Sequence, residues 1–329
     1  MELAGARALV TGAGGFIGSH LVEALHGLGA RVTAMVHYDA RPDLSNLELA
    51  PQGVRDAIQI VSGNIEDPFF VDGAVAGQDV VFHLAALIGI PYSYVAPASV
   101  VRTNVEGTLN VLEACRRHRT ARLVHTSTSE TYGTAQYTPI DERHPLQGQS
   151  PYSASKIGAD KLAESYHLSF GVPVATLRPF NAYGPRQSER AIVPSIIGQA
   201  LTRKELALGS LTPQRDLTFV DDTVSAFLAV ARSDACVGQV VNAGSGVALS
   251  IGELAATVQR VLGTSLPIRH DPDRVRPERS EVQTLICNRK KIHELTGWEP
   301  KSNLEYGLSQ TAAFVKAHLE RYRPAQYQR

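Results

Sequence analysis

The chain lacks any imbalance of charge: 32 Lys and Arg face 32 Asp and Glu, for a formal net charge of zero. Such a balance gives no electrostatic reason to expect nucleic acid or an anionic membrane as partner. Long apolar runs are missing too, and none approaches the roughly 18 residues of a membrane span. No basic and apolar leader stands ahead of the strand-like run Ala8–Thr11. Cysteine is scarce: Cys115, Cys236 and Cys287 are scattered, without metal-site spacing, and read as core packing in a reducing compartment. No repeat or low-complexity segment is present. These absences predict a soluble cytoplasmic protein without a metal, and 329 residues suit about two domains.

What is there begins with glycine. An apolar strand, Ala6–Thr11, breaks at Gly12, and Gly12, Gly15 and Gly18 precede a helical pattern through Leu21, Leu25 and Leu28. A second strand, Arg31–Val36, completes a unit of about 30 residues, the length of a dinucleotide-binding βαβ motif. The glycines permit a tight turn and close backbone approach, and the helix start offers N–H groups to a pyrophosphate. Strands at 58–62, Asp79–Leu84, Arg122–Thr126 and Val172–Leu177 then alternate with helices, one of them spanning Ser99–His118 with Val101, Val105, Leu109 and Leu112 on one stripe. Asp67 and Asp221 stand where helix caps are expected. This rhythm predicts an α/β fold, a doubly wound parallel (Rossmann) sheet with a smaller α/β C-terminal substrate-binding domain. The expected division is 1–178 plus about 230–262 for the sheet domain, and 179–229 plus 263–329 for the second.

The chemistry concentrates between Thr126 and Lys156. Thr128, Ser129 and Glu130 follow a buried strand, at the sheet edge where such folds hold ligands. Tyr152 and Lys156 are four residues apart and share one helix face. A tyrosine is too weak an acid to serve as base near neutrality. A neighbouring ammonium and a positive nicotinamide ring would stabilise its phenolate. With Thr128 steering the proton, the set suits oxidation of a secondary alcohol with hydride transfer to a nicotinamide.

The motifs TGAGGFIGSHL, FHLAA, STSETYG, SPYSASK, RPFNAYGPRQ, RDLTFVDD and RPERSEV occur in order. By them the chain resembles the extended short-chain dehydrogenase/reductase family over nearly its whole length. The resemblance implies action on nucleotide-diphosphate sugars with a retained NAD, NADP being the alternative. Within that group Thr128-Ser129-Glu130 looks like the triplet of 4,6-dehydratases. Once C4 is a ketone, the C5 hydrogen is acidic and Glu130 can remove it; Ser129, Glu130 or a water can protonate the leaving C6 hydroxyl. UDP-glucuronate decarboxylases and 4-epimerases on the same scaffold are the alternatives. A non-catalytic NAD(P)-sensing protein is a remoter one, because such relatives usually lose the tyrosine or lysine.

The resemblance also distributes binding roles. The cofactor is assigned to Gly12, Gly15, Phe16, Ile17, Gly18, His37, Asn64, Ile65, Leu84, Ala85 and Ala86, with Tyr152 and Lys156. No acid closes the second strand at Val36, His37 or Tyr38, so NAD and NADP stay open, with Asp39 or Arg41 able to contribute. Asn181, Arg215 and Arg276 match residues that hold the sugar diphosphate, where an arginine fork makes two charge-assisted bonds. Arg186 and Arg190 read as surface charges, His83 as a satisfied core histidine, and Trp298 as packing. The implied partner is a UDP- or GDP-linked hexose or amino sugar. A homodimer pairing the Ser99–His118 and Tyr152–Phe170 helices is expected.

Overall fold

The computed structural model describes residues 1–40, 43–275 and 280–322. Its first half alternates single strands with one or more helices. β1 (Arg7–Thr11), α1 (Phe16–Gly27), β2 (Arg31–His37), α2 (Gln52–Ala57), β3 (Gln59–Gly63), α3 (Pro68–Val75) and β4 (Val80–His83) come first. Next are α4 (Ile90–Val95), α5 (Pro97–Val101), α6 (Gly107–His118), β5 (Arg122–Thr126), α7 (Pro151–Phe170) and β6 (Val174–Pro179). The chain continues through β7 (Asn181–Tyr183), α8 (Ile192–Thr202), β8 (Leu206–Leu208), β9 (Gln214–Phe219), α9 (Val220–Arg232) and β10 (Val240–Ala243). It ends with β11 (Ala248–Ser250), α10 (Ile251–Leu262), β12 (Ile268–His270), β13 (Thr284–Leu285), α11 (Lys290–Thr296) and α12 (Leu304–Ala317).

Seven strands form one parallel sheet in the order β10-β6-β5-β4-β1-β2-β3. Parallel strands covered by helices on both faces must be apolar throughout. Accordingly β4 is wholly buried and β1 buried after its first residue. The chain runs outward from β1 to β3, then crosses to β4 on β1's other side. That reversal opens a crevice at the carboxyl ends of β1 and β4, where doubly wound sheets bind ligands. The fold is the expected Rossmann-type α/β class.

A smaller sheet, β11-β9-β13 with β7 also on β9, and the pair β12-β8 stand beside it. Helix α9 packs on β5, β6 and α1, whereas α10 packs on α8 and α12. We propose the domain division on this basis, with α9 and β10 in the sheet domain and α10 in the cap. The sequence-based division has α9 and α10 the other way round.

Two local expectations are corrected. The segment Ser99–His118 is not one regular helix: a π turn at Arg102–Glu106 separates α5 from α6. The wide turn shifts the phase of the helix, so the buried face holds Asn104, Thr108, Val111 and Leu112 while Val101 is exposed. Asn104 tolerates burial because its amide is saturated. Its Oδ1 accepts from Leu87 N at 2.8 Å, and its Nδ2 donates to Leu87 O at 3.0 Å and Ser155 Oγ at 2.9 Å. Asp221 does not cap α9, whose cap position is Phe219; it lies in the first turn, where the helix dipole favours it. Its neighbour Asp222 instead accepts from the backbone of Lys301 and Ser302 at 2.8 and 3.0 Å. Asp67 does cap α3, accepting from Phe69 N and Phe70 N. No helix among the described residues is long and apolar enough to cross a membrane.

Candidate active site

A cavity of about 800 Å³ runs from the glycine turn after β1, past the ends of β4 and β5, to the cap. Its first wall is backbone. Gly12 has φ +69°, and a Cβ there would lie 2.9 Å from Ala85 Cα; a Cβ at Gly18 would lie 2.2 Å from Gly12 O. Helix α1 opens at Gly15 with no side chain capping it. Its first N–H groups therefore carry the positive end of the dipole without a protein partner from a cap. This cradle fits a dinucleotide's pyrophosphate. Gly12, Gly15, Phe16, Ile17, Gly18, His37, Leu84, Ala85 and Ala86 all line the cavity, and Asp39, Asp43 and Ser45 join them near His37.

Asn64 and Ile65 are not among the lining residues. Asn64 Oδ1 accepts from Glu66 N, and Ile65, 5 % exposed, packs where a Cβ on Gly107 would meet it at 2.9 Å. Ile65 ties the end of β3 to α6, where Asn110 Nδ2 also donates to Ile65 O at 3.0 Å.

The reactive wall is built by β5 and α7. Ser150 caps α7 in a reciprocal box with Ser153, and Pro151 occupies its first turn. The helix start is thereby set, and Tyr152 and Lys156 fall on the face against β5. Thr128 pairs with the Tyr152 hydroxyl and also caps the short turn Ser129–Tyr132, accepting from Glu130 N at 3.2 Å. Lys156 Nζ donates to Thr126 O at 2.7 Å. Ser129 and Glu130 line the cavity beside Tyr152. The Glu130 carboxylate makes no hydrogen bond or ion pair to any described residue, and its charge acts on Tyr152.

Without a ligand the electrostatics do not favour a phenolate. Burial, with the charges of Glu130 and Asp160, raises the Tyr152 phenol above its ordinary range, against a lowering by the Thr128 hydrogen bond. Burial also brings Lys156 down to about 8, opposed by Asp160. The expected lowering of Tyr152 by Lys156 therefore does not arise from the protein alone.

A buried hydrogen-bond chain braces this wall. Thr108 Oγ1 donates to Asn104 O at 2.7 Å, so it accepts from His83 Nε2 at 3.0 Å. Nδ1 of His83 then accepts from Thr11 Oγ1 at 2.9 Å, and Thr11 Oγ1 accepts from Leu84 N and Ala85 N, both at 3.1 Å. Burial, together with the charges of His125 and Lys156, keeps His83 well below its ordinary range and hence neutral. It is a satisfied core histidine that joins β1, β4 and α6 beneath the cofactor crevice.

At the cap end, Asn181 lines the cavity at the start of β7. Its Nδ2 is buried without a partner among the described residues, as are Thr126 Oγ1 and Gln187 Oε1 on the same cavity. Arg215 is buried at the cavity wall and paired with Glu281, Nη2 to Oε1 2.8 Å. Arg276 lies outside the described residues. Arg274 and Arg190 both line the cavity, and Arg190 is exposed, as expected of a surface charge. Arg186 is not the surface charge expected: its side chain is only 9 % exposed and reaches Glu23 at 2.6 Å. Trp298 is packing, its Nε1 donating to Ser225 Oγ at 2.8 Å. Sequence reading missed Asp43, Ser45, Gln187 and Arg274, which sit on loops or short 3-10 turns without periodic signal. It missed Asp160 too, although that residue simply extends the Tyr152–Lys156 spacing by one turn.

The sequence model of the GDP-mannose 4,6-dehydratase family matches residues 9–311. The chain belongs to this family. It is 35 % identical over 326 residues to a dTDP-glucose 4,6-dehydratase of Streptomyces griseus, covering 96 % of each chain. It is 33 % identical over 322 residues to a UDP-glucose 4-epimerase of Mycolicibacterium smegmatis, covering 94 % of this chain and 98 % of the other. Among solved structures, the dTDP-glucose 4,6-dehydratase DesIV of Streptomyces venezuelae, determined with NAD bound, superposes with a TM-score of 0.88 at 27 % identity. That match covers 97 % of this chain and all of DesIV. The chain is thus an enzyme of the extended short-chain dehydrogenase/reductase group that includes nucleotide-sugar dehydratases and epimerases.

Proposed function

We propose that the enzyme is an NAD-dependent nucleotide-sugar 4,6-dehydratase forming a 4-keto-6-deoxy sugar. The observation that carries this reading is Glu130: a carboxylate without a partner among the described residues, on the cavity wall beside Tyr152 and Ser129. NAD would be held by the glycine cradle, by His37 and by Leu84–Ala86, and retained between turnovers. When bound it would take a hydride from C4 of the hexose and return one to C6. Tyr152 takes the C4 hydroxyl proton, with Thr128 steering that hydroxyl and Lys156 supplying positive charge from below. Glu130 then removes the C5 proton, acidified by the new ketone, as the C6 hydroxyl leaves as water, and a proton returns to C5 when C6 receives the hydride. Ser129, beside Glu130, is placed to assist proton delivery to that hydroxyl.

Asn181 and Arg215, with Arg276, are the proposed hold on the sugar diphosphate. The orphaned Nδ2 of Asn181 supports this, because a buried donor left unpaired costs about 1–3 kcal/mol that a ligand can recover. Sequence reading proposed a UDP- or GDP-linked sugar; the names of the relatives add dTDP-linked hexoses. Incubation with all three classes should give a product short of one water that absorbs in alkali, with solvent deuterium at C5. Unchanged mass and C5 after full turnover would sink the dehydratase reading. The relative named as a UDP-glucose 4-epimerase makes epimerisation the second reading, and it predicts that outcome. Loss of carbon dioxide from a uronate substrate would indicate the decarboxylase. Exposed Val95, Val101, Leu168 and Phe170 on α4, α5 and α7 support a homodimer through these helices. Light scattering of Phe170→Glu should then report a monomer.

A further inference from the structure

Helix α7 carries a third polar side chain on the face that bears Tyr152 and Lys156. Asp160 stands four residues beyond Lys156 and is only 4 % exposed. Both its oxygens are engaged. Oδ1 accepts from His125 Nε2 at 3.1 Å; Oδ2 accepts from Ser127 Oγ at 2.7 Å and from Arg178 Nε and Nη2 at 3.1 and 2.8 Å. Each partner is close in sequence to a residue of the reactive wall. His125 precedes Thr126, whose carbonyl accepts from Lys156 Nζ. Ser127 precedes Thr128, and Arg178 lies three residues before Asn181.

We propose that Asp160 is a positioning residue of the active site: its carboxylate fixes the ends of β5 and β6 against α7 and supplies negative charge behind the Lys156 ammonium. The charges that meet here are few. Lys156 and Arg178 are cations. His125 gives its Nε2 proton to Asp160 and leaves Nδ1 buried without a partner among the described residues, and burial lowers it, so it is neutral. His83, its ring 5.8 Å from that of His125, is neutral as well. On the cavity side, Tyr152 feels the charges of both Asp160 and Glu130. Burial alone would raise Asp160, but hydrogen bonds from His125 and Ser127 and the charge of Arg178 hold it at about 2. It is therefore anionic throughout the working range, and its charge opposes the lowering of Lys156 that burial imposes. A buried ammonium near a buried guanidinium is costly unless a carboxylate stands with them.

The role in catalysis rests on the proposed alcohol oxidation, but the test does not need a substrate. Lys156 Nζ can be followed by NMR in protein carrying isotope-labelled lysine, its signal assigned by loss in Lys156→Arg. Asp160→Asn removes the charge; Arg178→Gln breaks the same ion pair and leaves the charge. Asp160→Asn should lower the Lys156 titration midpoint by about one pH unit. Arg178→Gln should leave it in place or raise it. Midpoints that stay put in both variants, or fall alike in both, overturn the proposal. Should Asp160→Asn fail to fold with Arg178 unpaired, the double variant Asp160→Asn/Arg178→Gln removes the buried pair together. Its midpoint must still fall below that of Arg178→Gln alone, and a midpoint equal to that of the single variant overturns the proposal. Failure to turn over any nucleotide sugar would remove the dehydratase reading and leave this titration to decide Asp160 independently.

Discussion

The two ends of the cavity are built on opposite terms. Beneath the cofactor crevice and the Tyr152 wall, most buried polar groups already have protein partners: Thr11, His83, Thr108, Asn104 and Ser155 form one chain, and Asp160 gathers His125, Ser127 and Arg178. Toward the cap, buried atoms such as Asn181 Nδ2 and Gln187 Oε1 are unmatched, and Arg215 leans on Glu281. The difference is what the ligands demand. A shared first chemical step needs atoms placed in advance, and saturation supplies that rigidity. Recognition of a variable sugar nucleotide leaves groups whose partners arrive with the substrate.

The comparison can be broken at either end. The largest effect belongs to Tyr152→Phe, which should slow the first hydride transfer by about 10³-fold or more, read as NAD reduction in a single turnover. Retention of that step would show another base. Glu130→Gln should cut water loss by about 10²-fold while sparing C4 oxidation, so reduced NAD accumulates transiently. Equal loss of both steps would argue against Glu130 as the C5 base. Thr11→Val tests saturation itself: it strips a donor from His83 Nδ1 and an acceptor from Ala85 N, and should lower stability by about 2–3 kcal/mol in urea melts.

Asn181→Ala should do the reverse. Unliganded stability should hold, since the lost donor has no partner among the described residues, while KM for the nucleotide sugar rises about tenfold. A destabilised Asn181→Ala protein would collapse the contrast. The smallest effect lies far from both ends. Asp79 is drawn to about 2 by its hydrogen bonds with Arg7, above all from that side chain. A depressed carboxyl stabilises above its unfolded pKa and loses the contribution as pH falls through about 2. The pair is half in solvent, so Asp79→Asn should cost no more than about 0.5 kcal/mol at neutral pH and nothing at the acid limit.

Much of the catalytic half was legible from sequence because its signals are local. The glycine spacing requires a turn whose backbone approaches Ala85, and the four-residue step from Tyr152 to Lys156 requires one helix face. Both depend on backbone geometry within a few residues. The departures are of another kind. The stripe expected over Ser99–His118 does not allow for the π turn, and Asn64 and Ile65, assigned to the cofactor, stand outside the cavity lining. In each case the outcome depends on what a distant segment brings. Leu87 and Ser155 satisfy the buried amide of Asn104, and α6 takes up the side chain of Ile65.

By itself the sequence determined a Rossmann-type sheet, a glycine cradle and a Tyr–Lys pair behind a Thr-Ser-Glu strand end, because periodicity and turn chemistry act over short separations. Tertiary structure alone decided the electrostatics of that pair. Asp160 acts on both, and the groups that hold it anionic, His125, Ser127 and Arg178, lie 35, 33 and 18 residues from it. Only the packing of α7 against β5 and β6 brings them to one carboxylate, and desolvation, which moves both Tyr152 and Lys156, exists only once that packing excludes water.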